Sequence, residues 1–268
     1  MLALSHKKPP HFGAAARKGA RALSFRHLFR AGMCTLCALI FVLNSRGPQP
    51  AAAEGAEEPS VTPPPNAAAV SAAYRHMSQS KPDLEVGVWP LQLYGSGRPV
   101  TEEPEETVRV GGVPVDARIA DALRAMIADA RSAGLSVYLS CGYTDAAAQT
   151  HIYRRTAAKY GAETAQTIVG RPAESEHRSG LAVDIADRYY EEKDSSLENT
   201  ELFAWLKAHC HEYGFILRYP KEGKAITGHV YQPWHFRYVG AEAAAFMAEN
   251  GLTLEEFLDL YRTGGDGV

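Results

Sequence analysis

Residues 177–185 restrict this chain more than any other stretch. His177 lies in a polar turn closed by Gly180, and a short strand follows in which Leu181, Val183 and Ile185 share one face while Ala182, Asp184 and Ala186 share the other. Because side chains alternate along a strand, burying the branched residues obliges Asp184 to stand on a face cleared by small neighbours. Residues 234–239 repeat the alternation, with Trp234, Phe236 and Tyr238 directed to the core and His235 and Arg237 the opposite way. Two histidines and an aspartate projecting from sheet faces supply nitrogen and oxygen ligands for a tetrahedral Zn2+ and leave the fourth position to water. Neither segment is a helical HExxH arrangement.

The surrounding elements announce themselves by period and punctuation. Asp116 is an N-cap for a helix that places Ile119, Leu123, Met126, Ile127 and Ala130 on one face and stops at Gly134. A second helix is expected from about Asp145 to Tyr160, and a third from about Thr200 to Tyr213 with Leu202, Trp205, Leu206 and Cys210 inward. Thr253 and Glu256 form a capping box for the last. Short apolar runs at 136–140, 181–185, 215–219 and 234–239 are strands. Helices and short strands without regular βαβ spacing define an α+β domain with a small, mostly antiparallel sheet flanked by helices.

That domain occupies 83–268. Residues 46–82 are rich in Pro and Ala with almost nothing large and apolar, and read as a disordered linker. Within 1–45, Lys7, Lys8, Arg17, Lys18, Arg21, Arg26 and Arg30 precede an apolar run at 31–43, shorter than the roughly 20 residues of a bilayer span. Ala51, Ala52 and Ala53 follow as a cleavage candidate, so the segment reads as a signal peptide, with an uncleaved anchor as the alternative. Neither Cys34 nor Cys37 has the small preceding residue that lipid attachment requires. A net charge of -3 gives no footprint for a phosphate backbone, and nucleic acid is not an expected partner. Cys141 and Cys210, in apolar contexts, are expected as buried free thiols, with a disulfide between them as the alternative.

The pattern S-x-H-x-x-G-x-A-x-D, filled by Ser175, His177, Gly180, Ala182 and Asp184, is followed some fifty residues later by PWHFRYVG. With YGFILRYP, ITG and the upstream CGY-x5-Q, it closely resembles the zinc D-alanyl-D-alanine carboxypeptidases of the vancomycin-resistance type, over roughly 84–260. The resemblance implies His177, Asp184 and His235 as zinc ligands and a fold shared with hedgehog-type signalling domains. It implies a peptidoglycan stem peptide ending in D-Ala-D-Ala as substrate, with Ser175, Tyr143, Thr144, Gln149, Arg237 and Trp234 as the substrate-contacting candidates, and the domain is expected to act as a monomer.

Two positions depart from the family pattern. Three residues before the last histidine the family usually has a glutamate, the general base; this chain has Gln232, whose amide orients water but accepts no proton. Losing a proton relay costs a factor of about 10² to 10⁴. Thr144 stands where the family commonly has a substrate-binding arginine, and loss of such a donor costs on the order of 10² to 10³. His229, Glu174 and Glu176 are candidate replacement bases, and Arg171, Arg178 and Arg237 candidate replacement cations. The rival reading is a zinc-retaining pseudoenzyme that binds cell-wall peptide or a protein partner.

Export is expected from the leader, placing the domain at the outer face of the cytoplasmic membrane, in the cell wall or in the periplasm, with membrane contact only through the N-terminal segment. A fusion of residues 1–60 to a reporter active only outside that membrane should give signal, and silence would refute the assignment.

Overall fold

The computed structural model describes residues 76–190 and 192–262, all within the unit Thr62–Val268. The leader and the greater part of the expected linker lie outside the described residues. In chain order the elements are β1 (Thr107–Val110), β2 (Val113–Asp116), α1 (Ala120–Ser132), β3 (Tyr138–Cys141), α2 (Ala146–Tyr160), α3 (Ala162–Val169), β4 (Ala182–Ala186), α4 (Glu201–His209), β5 (Phe215–Leu217), α5 (Lys224–Thr227), β6 (His235–Tyr238), α6 (Ala241–Asn250) and α7 (Leu254–Arg262). β1 and β2 form a hairpin, while a four-stranded sheet runs in the order β3-β4-β6-β5 with every pairing antiparallel. This is the expected α+β architecture.

The main core forms because β4 turns Leu181, Val183 and Ile185 toward α1 and α4. They meet Leu123, Met126, Ile127, Leu202, Phe203 and Leu206, with Phe215 and Phe236 completing the cluster. Each such side chain contributes about 1.5–3 kcal/mol on burial. Adjacent residues of β5 face opposite ways, so Phe215 enters this core while Ile216 joins a second one, made with Val239, Met247, Leu254 and Phe257 under α6 and α7. Trp205, expected inward, lies only partly buried at the margin, and Phe203 fills the interior instead.

The caps explain where the helices begin. Asp116 Oδ1 accepts from Arg118 N at 2.9 Å, although a 3-10 turn, Ala117–Ile119, precedes α1. Asp145 Oδ1 accepts from Ala148 N at 2.7 Å. Thr200 Oγ1 accepts from Phe203 N at 3.1 Å. Thr253 and Glu256 exchange hydrogen bonds at 2.9 and 3.3 Å in the capping box. The sequence pattern did not announce β1–β2, α3 or α6. For the hairpin a signal exists: Gly111 and Gly112 adopt φ 57° and 94°, the paired left-handed residues that a two-residue hairpin turn requires.

A buried ion network ties β5, β6 and α7 to the turn before β4. Arg218 Nε donates to Glu176 Oε1 at 2.8 Å, and its two terminal nitrogens donate to both oxygens of Glu255 at 2.7 Å. Arg237 Nη1 reaches Glu176 Oε1 at 3.1 Å, while its Nη2 donates to the Pro90 and Gln92 carbonyls at 3.0 Å. Burial pushes the Glu176 carboxyl up, but Arg218 and then Arg237 outweigh it and hold the group well below the usual carboxylate range. Removing one member of a buried pair strands the other charge. Glu255→Ala should therefore lower the unfolding free energy by on the order of 3 kcal/mol, measured by urea denaturation at neutral pH. A loss within experimental error would show that the network does not hold α7.

Candidate metal centre

The sheet register places three chemically active side chains in one transverse row. Cys141 of β3 is the cross-strand partner of Asp184 of β4, and Asp184 is the partner of His235 of β6. His177 enters from a 3-10 turn, Glu176–Ser179, that ends in a left-handed Gly180. At Gly180 (φ 69°) a Cβ would come within 2.9 Å of the Asp116 amide nitrogen, and that amide donates to Gly180 O at 3.1 Å. A glycine there lets the turn close against β2.

Both imidazoles are oriented by bonds on their far sides. His177 Nδ1 lies 2.8 Å from the Gly142 carbonyl, which only accepts, so Nδ1 carries the proton and Nε2 faces Asp184 Oδ1 at 3.3 Å. His235 Nε2 lies 3.3 Å from Glu176 Oε2, leaving Nδ1 3.1 Å from the same Asp184 oxygen. The rings meet edge to face at 4.9 Å. Gly142 is itself required, because a Cβ there would lie 2.1 Å from the Pro114 carbonyl oxygen. Outer partners that fix the tautomer and aim the lone pair are the arrangement of a metal-ligating histidine. The donor set of two imidazole nitrogens and a carboxylate oxygen fits Zn2+.

Electrostatically the pocket calls for positive charge beside Asp184. Burial raises the Asp184 pKa, yet Lys193 and then His177 outweigh it and hold the carboxyl well below its usual range. Lys193 forms an ion pair with Asp184 Oδ2, donates to Ser140 Oγ at 3.2 Å and lies 5.7 Å from the Trp234 ring centre. No motif marks Lys193. It stands in the polar stretch after β4, where charge alone does not distinguish it from its neighbours.

The other expected residues divide sharply. Gln232 is buried, and its Nε2 donates to the Ile168 carbonyl at 2.8 Å, in the last turn of α3. A carboxylate cannot donate there and would face the negative end of the helix. Thr144 Oγ1 donates to Gln149 Oε1 at 3.0 Å, and Gln149 Nε2 donates to Val169 O at 3.0 Å, so both hold the α2–α3 corner. Tyr143 donates to Glu103 at 2.9 Å. Ser175 is buried, with its carbonyl accepting from Arg178 N at 3.0 Å. Trp234 packs with Ala186 and Leu197, and not with Phe236, because β6 begins only at His235.

The candidate replacements for the missing groups are corrected in the same way. Arg237 is fully buried and its donors serve Glu176 and backbone carbonyls, which removes it as a substrate contact. Arg178 pairs with Glu103, and Arg171 lies 3.7 Å from Glu174. Glu176 is held by two guanidiniums. His229 stacks on Tyr219 at 4.3 Å, a ring that also lies against His235 at 4.9 Å. Burial lowers its pKa from the ordinary 6.5 to about 4, which weakens it as a base. Cys141 and Cys210 are both free, as expected, but only Cys210 is buried, Cys141 being partly exposed.

β4 and β6 present Asp184 and His235 opposite each other, and the turn before β4 adds His177, a donor set that could hold a metal ion. Comparison with known proteins agrees. The family model "VanY: D-alanyl-D-alanine carboxypeptidase" matches residues 113–241. A D-alanyl-D-alanine carboxypeptidase of Enterococcus faecalis is 34% identical over 183 residues, covering 64% of this chain and 66% of that protein. A glutamate-to-alanine mutant of the vancomycin-resistance D,D-pentapeptidase VanY, solved with Zn(II), superimposes with a TM-score of 0.58 at 33% identity, covering 64% of this chain and 99% of the other. VanYB in complex with D-alanine-D-alanine matches at 33% identity with a TM-score of 0.58, covering 64% of this chain and 98% of the other. The chain belongs to the VanY family of D-alanyl-D-alanine carboxypeptidases. It spans 52% and 66% of the length of the first curated relatives it matches.

The buried, neutral His229 makes a pH-dependent contribution to stability. Its folded pKa of about 4 lies below the ordinary value of 6.5, so between these limits the unfolded chain binds a proton that the folded chain refuses. Stability therefore falls as pH is lowered through this window, by at most on the order of 3 kcal/mol. Replacing His229 by Phe should flatten denaturation midpoints between pH 6.5 and pH 4; an unchanged slope would contradict this account.

Proposed function

We propose that the domain holds one Zn2+ through His177, Asp184 and His235 and hydrolyses the terminal D-Ala-D-Ala bond of peptidoglycan stem peptides at reduced efficiency. The observation that carries the reading is the convergence of two imidazole nitrogens, His177 Nε2 and His235 Nδ1, on one Asp184 oxygen, at 3.3 and 3.1 Å. It is supported by the relatives solved with Zn(II) and with D-alanine-D-alanine. Zinc bound there supplies a Lewis acid for the scissile carbonyl and lowers the pKa of a water ligand toward about 7. The protein's own residues do the rest. Gly142 O and Glu176 hold the two rings in place. Lys193 provides the only ammonium paired with Asp184 among the described residues, and it keeps positive charge beside that carboxylate. Gln232 accepts no proton at working pH, and its amide is engaged with Ile168. That engagement also favours the second reading, a zinc-retaining domain that binds cell-wall peptide with little turnover.

Metal analysis and D-Ala release from a stem pentapeptide test the proposal together. The wild-type chain should retain one zinc, and His177→Ala and His235→Ala should lose it. Turnover should be slow, and Gln232→Glu should raise kcat by about 10² or more if the absent proton relay is the principal defect. Efficient wild-type hydrolysis with Gln232→Glu neutral or harmful would contradict the assignment of the vacated base. Zinc retention with no release by any variant would establish the binding reading.

A further inference from the structure

Cys141 holds a position that the strand pattern alone does not give it. Side chains alternate along β3, so Cys141 would share the core-facing side of Leu139, two residues earlier. The pairing with β4 is instead irregular between them: Leu139 lies opposite Ile185, whereas Cys141 lies opposite Asp184. The extra residue of this bulge turns Cys141 onto the ligand face. Ligand atoms of Cys141, His177 and Asp184 all lie within 4.8 Å of one another. The thiol makes a long contact, 3.6 Å, to the Gly142 carbonyl and also interacts with the His177 ring. It is also partly exposed, in contrast to Cys210, which is buried and whose pKa burial pushes up to about 12.

We propose that Cys141 supplies a thiolate as an additional protein ligand to the metal held by His177, Asp184 and His235. The inference rests on the zinc reading given above. Binding would form a sulfur–metal bond, displace a water ligand and release the thiol proton to solvent. Three protein ligands and a water are the pattern of a catalytic zinc, whereas four protein ligands close the site. Cys141 therefore acts in the same direction as Gln232: one occupies the position that water needs, and the other lacks the base that would activate it. The site is a closed centre of the mixed Cys-His-Asp kind, in which hydrolysis waits on the thiolate leaving.

The test uses the full chain loaded with Co2+ in place of Zn2+. The wild type should bind one equivalent and show the near-ultraviolet charge-transfer absorption of a cobalt thiolate. Cys141→Ser should still bind the metal and lose that band, while Cys210→Ser should keep it. Independently, zinc should slow alkylation of Cys141 by iodoacetamide at least tenfold, followed by mass spectrometry, and leave the slow reaction of Cys210 unchanged. Metal uptake by the wild type without the band, together with equal alkylation rates in the presence and absence of zinc, would overturn the inference and leave the three-ligand site standing. No metal uptake by the wild type would overturn both.

Discussion

Asp184 is a carboxylate buried in one of the two inner strands of a small sheet, and burial without compensation would expel its charge or unfold its surroundings. The neighbouring elements converge on it for that reason. β6 brings His235 opposite it, the turn before β4 brings His177, and the segment after β4 brings Lys193. A divalent cation satisfies the same need. The site is thus a place where positive charge is required by the fold, and its chemistry follows from which positive groups the chain delivers.

The orientation of those groups is fixed one layer further out. Glu176 touches His235 while pairing with Arg218 and Arg237, and Arg218 extends the chain of contacts to Glu255 on α7. The ring orientation that aims His235 Nδ1 is therefore secured by a network reaching the C-terminal helix. On the other side, the small Gly142 lets the end of β3 press against Pro114, which sets the carbonyl that orients His177. Gln232 and Gln149 belong to a third support, holding the last carbonyls of α3. A glutamine at 232 thus has a structural occupation as an amide donor that a glutamate would have to abandon.

The three residues proposed as ligands could be picked out together because they obey local rules. His177 precedes a glycine turn, and Asp184 and His235 fall on the off-core phase of two alternating strands, so period two was enough to bring them out. The second helix was legible for a similar reason, its Asp145 cap lying beside the helix it starts. What was not legible depends on distance in the chain. Arg218 lies 42 residues from Glu176 and 37 from Glu255, and an arginine in an apolar strand gives no sign of its partners. Arg237 was placed on the correct side of β6 but read as reaching substrate, because nothing local says that Pro90 and Gln92 carbonyls await it. Cys141 was obscured by a bulge, which shifts strand phase without altering composition.

The central claim is that one metal ion sits among His177, Asp184 and His235. Crystals of the full chain purified with zinc, measured on both sides of the zinc absorption edge, test it most directly. The account predicts a single anomalous peak within bonding distance of His177 Nε2, an Asp184 carboxylate oxygen and His235 Nδ1. No peak there, with Lys193 still paired to Asp184, or a peak elsewhere that none of these three residues binds, would contradict it.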